Sequence, residues 1–363
     1  MPELHVTTLV ALLGFVAGIV FGATAQRTSF CTMGAISDMI AMQDYRRFRA
    51  WLLAIAVAIA GSQALQLIGA VDLGRSIYLA SSLGWLGAIV GGLMFGFGMT
   101  LAGGCGNRTL VRLGSGNLKS LVVVLVLGVF AYMTLRGIIG LGRIAVIEPT
   151  NVNIGMQGLP DLLARATGFG ASATRALLAL AVTAGLLWIC FKDPAFRTSA
   201  RDVIAGAVIG LLIPVGWIIT GIAGADDFDP TALASFTFVA PIGESLMYLM
   251  TFSGATINFG IASVGGVIVG AFAMATATRR FRIEAFTGGA DMLRHIVGGA
   301  LMGTGGVLSL GCTIGQGITG LSTLGVGSLI AFLAVVAGGI AGITYLEEGS
   351  LGGAARRFWL GRA

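Results

Sequence analysis

The chain is 363 residues long, 56% hydrophobic and only 10% charged, with a mean hydropathy of +0.93. A soluble globule carries about a quarter charged residues, so these values exclude that class and define a polytopic membrane protein. The formal charge of +6 comes from small basic groups at the ends of apolar runs. With no basic stripe along a face, it speaks for membrane orientation and against a nucleic-acid partner.

The apolar runs suit helices of about 20 residues, and none shows the alternation over roughly 10 residues of a membrane strand. The expected class is therefore all-α, with about nine transmembrane helices plus short re-entrant helices. The opening MPELHVTTLV has no basic n-region and carries Glu3, so it reads as part of the first span, not as a cleaved signal.

The first span is expected from Val6 to Ala25, followed by Arg27, Cys31 and a short segment to Met42. Ala50 to Val71 and Leu83 to Leu101 follow, the latter ending at Cys105. NRTLVRLGSGN is too polar and glycine-rich to cross and reads as a loop with a short re-entrant helix. Leu118 to Gly140 is the fourth span. A polar connector from Leu141 to Ser172 contains the loop PTNVNIGMQGLP, and Ala173 to Phe191 is a linker helix.

The second half repeats the pattern. Asp202 to Ile222 answers the first span, ADDFDP (Ala225 to Pro230) is an insertion, and Thr237 to Met250 answers the short segment at Cys31. Spans at Ile257 to Thr276, Met292 to Leu310 and Leu324 to Tyr345 complete it. The divisions expected are residues 1–140, a first membrane repeat; 141–200, an extracytoplasmic connector and linker helix; 201–346, a second, inverted repeat; and 347–363, a cytoplasmic tail.

Charge orients this scheme. With the N-terminus outside, most of the twenty-two Lys and Arg face the cytoplasm, and only Arg75, Arg136, Arg143, Arg165 and Arg175 remain outside. The bacterial inner membrane, with a periplasmic N-terminus and cytoplasmic C-terminus, is the expected location.

One motif recurs. Gly91, Gly92, Gly96, Gly98, Leu101, Gly104 and Cys105 reappear in order as Gly298, Gly299, Gly303, Gly305, Leu308, Gly311 and Cys312. Gly18 and Gly22 before Cys31 form a weaker third copy, and a fourth, around FVAP (Phe238 to Pro241), has lost its thiol. Glycines four apart let helices approach closely, which accounts for the glycines but not for a cysteine ending each run. Inverted repeats place binding sites near the bilayer midplane, where broken helices meet. Glycine-rich backbone at membrane depth implies a polar pathway, and short helices starting after Cys105 and Cys312 would aim N–H groups at an anion. Thiols there suit a soft, sulfur-bearing anion.

The candidate substrate-binding residues are Cys31, Cys105 and Cys312, with Gly104, Gly106, Asn107, Gly311, Thr313 and Gln316 beside them. Arg108 reads equally as an oxyanion donor or a headgroup anchor. Asp38 and Glu244 are expected to cap helices or to pair with Arg27 or Arg294. Cys190, His5, His295 and Trp217 read as packing or isolated residues. With no CxxC and no metal-ligand spacing, no cofactor and no metal site is expected.

The chain resembles the YeeE/YedE family of sulfur-compound transporters, known for thiosulfate uptake. The resemblance rests on FCTMGAISDM, GGLMFGFGMTLAGGCGNRTLVRLGSGNLKSL and GGALMGTGGVLSLGCTIGQGITGLSTLGVGSL. It implies inverted repeats forming an hourglass-like bundle in the lipid bilayer. It also implies a central row of Cys31, Cys105 and Cys312 that passes thiosulfate inward, and a separate cytoplasmic sulfur-carrier partner of the TusA type. The reading is thus a transporter or channel-like conduit for a small sulfur-containing anion, not an enzyme. The alternatives are a membrane thiol sulfurtransferase or oxidoreductase forming a persulfide, or a transporter of a selenium compound or soft metal.

Overall fold

A computed structural model describes residues 5–226 and 231–349. Most of the ADDFDP insertion and the tail from Ser350 onward lie outside the described residues. The helices are α1 (Val6–Thr28), α2 (Thr32–Ser37), α3 (Arg46–Leu67), α4 (Trp85–Leu101), α5 (Gly106–Gly114), α6 (Leu118–Arg136), α7 (Ile138–Gly142), α8 (Leu159–Thr167), α9 (Ala171–Phe191), α10 (Pro194–Arg197), α11 (Ala200–Ile218), α12 (Val239–Met250), α13 (Phe259–Ala277), α14 (Gly289–Leu308) and α15 (Val326–Glu348). A π-helical turn at Gly315–Gly320 stands between α14 and α15. The strand pairing described is one two-residue ladder, β1 (Ser82–Leu83) against β2 (Val152–Asn153).

The protein is all-α and polytopic. Among the described residues eight helices are long and apolar enough to cross a membrane. The expected span at Met292 to Leu310 forms as α14, 20 residues long, but it is absent from those eight. Asp291, Arg294 and His295 in its first turns and its run of glycines dilute its hydropathy.

Glycines set the helix pairing. A Cβ on Gly22 of α1 would lie 2.1 Å from the Val267 carbonyl oxygen of α13, and one on Gly270 of α13 would lie 2.1 Å from that of Ile19. Backbones this close leave no room for side chains, so dispersion between main chains supplies the attraction that water would otherwise drive. The same device joins α4 to α15, α6 to α14 and α3 to α11. At the centre α4 crosses α14 reciprocally: Gly91 and Gly305 face each other's carbonyls at 2.5 and 2.6 Å, and Gly98 and Gly298 at 2.8 and 2.7 Å. Thus α1 and α3 pack on α13 and α11, while α4 and α6 pack on α15 and α14. By contrast α9 buries only Ala179 and Cys190 and turns most of its apolar surface outward.

The connector is more ordered than its composition predicts. Its PTNVNIGMQGLP portion supplies β2, and α8 follows it. The Gly158–Gly325 bridge and the Leu159 N–H to Leu324 carbonyl bond (2.9 Å) fasten it to the start of α15.

Candidate functional site

Each of the three repeated cysteines follows the same local construction. Two residues before it, the chain turns left-handed: Ser29 at φ 58°, Gly103 at φ 70° and Leu310 at φ 59°. The next N–H then reaches back five residues, from Phe30 to Ala25 (3.2 Å), from Gly104 to Met99 (2.9 Å) and from Gly311 to Gly306 (2.8 Å). This is the bond pattern that ends a helix sharply. Glycine adopts the turn freely at 103, whereas Ser29 and Leu310 hold it at a cost of about 1–2 kcal/mol. The sharp stop lets a new helix begin at once, so Cys31 is the N-cap of α2 and Cys105 that of α5. Cys312 precedes the helical turn that runs from Thr313 into Gly315–Gly320. Phe238, in the copy without a thiol, is the N-cap of α12.

These helix starts meet. All three thiols are buried, Cys105 and Cys312 completely. The Cys31 and Cys105 side chains are neighbours, and Thr313 stands on the far side of Cys105. Cys105 Sγ also donates to Asn107 Oδ1 at 2.6 Å. Cys312 Sγ accepts from the Gly315 N–H at 3.4 Å and contacts the Phe238 backbone and the Thr237 hydroxyl. Gly106 lies under Phe238, 3.9 Å from a Cβ on the glycine to the Phe238 Cβ. The order of contact is Cys31, Cys105, Thr313, then Cys312 and Thr237.

Polar atoms here lack protein partners. Among the buried side-chain atoms without a hydrogen bond are Thr32 Oγ1, Asn107 Nδ2, Arg108 Nη1, Thr313 Oγ1 and Gln316 Oε1. Unmatched buried polar groups cost about 1–3 kcal/mol each, and their clustering at one place marks a functional site more readily than a packing defect. With helix N-termini pointing inward, the surroundings favour an anion, and the thiols favour one with a soft atom.

The remaining predicted residues flank this row. Gly104 sits against the Arg108 side chain, where a Cβ would lie 3.0 Å from its Cγ, and Gly311 sits against Gln316 at 3.3 Å. Gln316 Nε2 donates to the Ser309 carbonyl. Arg108 lies part-buried at the start of α5, with its Nη1 lacking a hydrogen-bond partner. It faces Cys31 electrostatically and lines, with Arg112, Arg280 and Arg282, a cavity of about 370 Å³ whose acidic member is Glu284. Asp38 pairs with Arg47 at 3.0 Å, not with Arg27, because α3 carries that arginine in its first turn and doubles back past α2. Glu244 accepts from Asn258 Nδ2 at 3.0 Å, and Arg294 pairs instead with Asp291 at 3.4 Å. Cys190 lies apart, donating to the Arg49 carbonyl at 3.3 Å.

Sequence reasoning missed Tyr78. It lies in the loop between α3 and α4, is 5% exposed and meets the buried Trp217 edge-on. Burial raises its phenol above the usual range, so it is a neutral donor. A lone tyrosine between spans carries no periodic signal, and only its contacts with Thr237 and Gly315 reveal it.

The fold, with these cysteines buried at its helix starts, defines a polytopic membrane protein. The chain belongs to the Sulphur transport family, whose model matches residues 27–341. It is 28% identical over 327 residues to the thiosulfate transporter TsuA of Escherichia coli (strain K12), covering 85% of this chain and 86% of that protein. It is 24% identical over 316 residues to the thiosulfate transporter TsuA of Spirochaeta thermophila, covering 85% and 90%.

Proposed function

We propose that the chain conducts thiosulfate, or a sulfur anion closely like it, past Cys312 and Cys105 to Cys31. The two relatives are named for thiosulfate. The observation that carries the reading is the burial of Cys31, Cys105 and Cys312 beside helix starts among buried polar atoms without protein partners, those of Thr32, Asn107, Arg108, Thr313 and Gln316. A thiosulfate ion offers one soft terminal sulfur and three hard oxygens. The thiols match the sulfur, and the Thr, Asn and helix-start N–H donors match the oxygens. No bond to the substrate is made or broken.

The halves, residues 1–140 and 201–346, are read as inverted repeats around the α4–α14 crossing. The paired exchange of partners among α1, α3, α11 and α13 and among α4, α6, α14 and α15 supports this. In a bacterial inner membrane the arginine-lined cavity then opens to the cytoplasm, and the N-terminus faces the periplasm. A TusA-like carrier is the fitting cytoplasmic acceptor.

The test is uptake of labelled thiosulfate, and growth on it as the sole sulfur source. Cys105→Ala and Cys312→Ala abolish both while protein level in the membrane is kept. Full uptake by both variants refutes the thiol row.

A further inference from the structure

The outer end of the thiol row is closed by Tyr78 and Thr237. Tyr78 rides on residues 71–82, outside any span, yet its side chain is buried. Its hydroxyl lies near the Thr237 hydroxyl, both beside Gly315, and Thr237 in turn neighbours Cys312. Gly315 lets the three approach: a Cβ there would lie 2.5 Å from Thr237 Oγ1 and 3.4 Å from Tyr78 Oη. Beyond Thr237 a cavity of about 460 Å³ opens, lined also by Ile77, Ser235, Glu244 and Asn258. Thr237 therefore stands between that space and Cys312, with Tyr78 beside it at Gly315.

The loop bearing Tyr78 is held from outside by the connector. The buried Gln157 donates through Nε2 to the carbonyls of Ala80 (2.6 Å) and Ser82 (2.8 Å). Its own carbonyl accepts from the Val326 N–H (3.0 Å) at the start of α15. The β1–β2 ladder, the Ile154 N–H to Ser81 bond (3.1 Å) and the Trp85 Nε1 bond to the Thr150 carbonyl (2.9 Å) extend the same seam. Gln157, through its side-chain amide and its backbone carbonyl, thus joins the Tyr78 loop to the helix that follows the Cys312 segment.

We propose that Tyr78 and Thr237 form the outer gate and selecting pair of the pathway. Their hydroxyls donate to the oxygen end of an entering small sulfur oxyanion, the Tyr78 ring closes the way to Cys312, and Gln157 straps the gate in place. The substrate class rests on the function proposed above; the gate does not.

Two measurements separate these parts. In the full chain with Cys31, Cys105 and Cys190 replaced by Ser, an impermeant methanethiosulfonate reagent applied from the outer face reports access to Cys312. Tyr78→Ala labels many-fold faster than its parent, and so does Gln157→Ala, which leaves the tyrosine in place. Labelling of both at the parental rate overturns the gate, whatever anion is carried. In the otherwise unaltered chain, Tyr78→Phe keeps the ring and raises the KM for thiosulfate uptake about tenfold, the worth of one hydrogen bond to an ion, with little change in maximal rate. An unchanged KM overturns the hydroxyl's role. Absence of thiosulfate uptake by the unaltered chain overturns the proposed function, and the labelling result still decides the gate.

Discussion

Gly96 offers a quantitative test of the glycine-mediated packing that positions the site. A Cβ at this position of α4 would lie 2.1 Å from the Val335 carbonyl oxygen, 2.7 Å from the Gly339 nitrogen and 3.0 Å from the Gly338 carbonyl carbon, all backbone atoms of α15. Carbon and carbonyl oxygen rest comfortably at about 3.3 Å, so Gly96→Ala drives the helices apart by about 1 Å. A gap of that size forfeits roughly a quarter to a half of each dispersion contact along the seam, and overpacking of this kind costs about 1–3 kcal/mol. Gly185→Ala is the matched control. It lies inside α9 with nothing within 4 Å of its Cβ position, and alanine there favours the helix by about 0.5–1 kcal/mol. The two variants should therefore differ by about 1.5–4 kcal/mol. Thermal unfolding in detergent, followed by uptake in reconstituted vesicles, reads both effects. Gly96→Ala lowers the midpoint and the uptake, since α4 leads directly to Cys105, whereas Gly185→Ala lowers neither. Equal midpoints would refute the packing argument.

Because the Cys31 and Cys105 side chains are neighbours, a mild oxidant joins them as a disulfide, blocks uptake and is reversed by a thiol reductant; mass spectrometry of the intact pair checks this, and free thiols after oxidation count against the geometry. At the membrane edge Lys119 bonds Asp291 at 2.7 Å and holds its carboxyl down to about 2. Since the folded value lies below the ordinary one of about 3.9, the pair stabilises fully above about pH 4 and is lost as pH falls toward 2. Thermal midpoints measured downward from pH 5 show this loss, and in Lys119→Met the dependence is weakened.

The helices were legible because membrane spans need only length and apolarity, and Cys31, Cys105 and Cys312 stood out because the same glycine spacing precedes each; the left-handed stops at Ser29 and Leu310 carry no such signal. What escaped notice depends on contacts between distant segments. Asp38 finds Arg47 because α3 reverses past α2, a relation no local spacing encodes. Gln157 reads as an ordinary loop amide until β1 and the start of α15 are seen beside it. The polar first turns of α14 lowered its hydropathy because Asp291 and His295 serve the Lys119 contact and a backbone bond at 2.7 Å.

The placement of charge along the pathway bears on how it turns over. Full cations, Arg108, Arg112, Arg280 and Arg282, gather at the cavity on the Cys31 side, whereas the stretch from Cys105 to Cys312 carries thiols, hydroxyls and amides. Conduction requires a site that attracts its ion and also releases it. A fixed cation 4 Å from a unit anion contributes about 4 kcal/mol at an effective dielectric of 20, nearly a thousandfold in residence time, and more for a dianion. Neutral donors avoid that trap while still replacing the anion's water. Asn107→Lys therefore lowers the KM for uptake and lowers the maximal rate more, as a bound anion lingers beside Cys105. A maximal rate equal to that of the unaltered chain, at equal protein level, would show that release from this row does not limit transport.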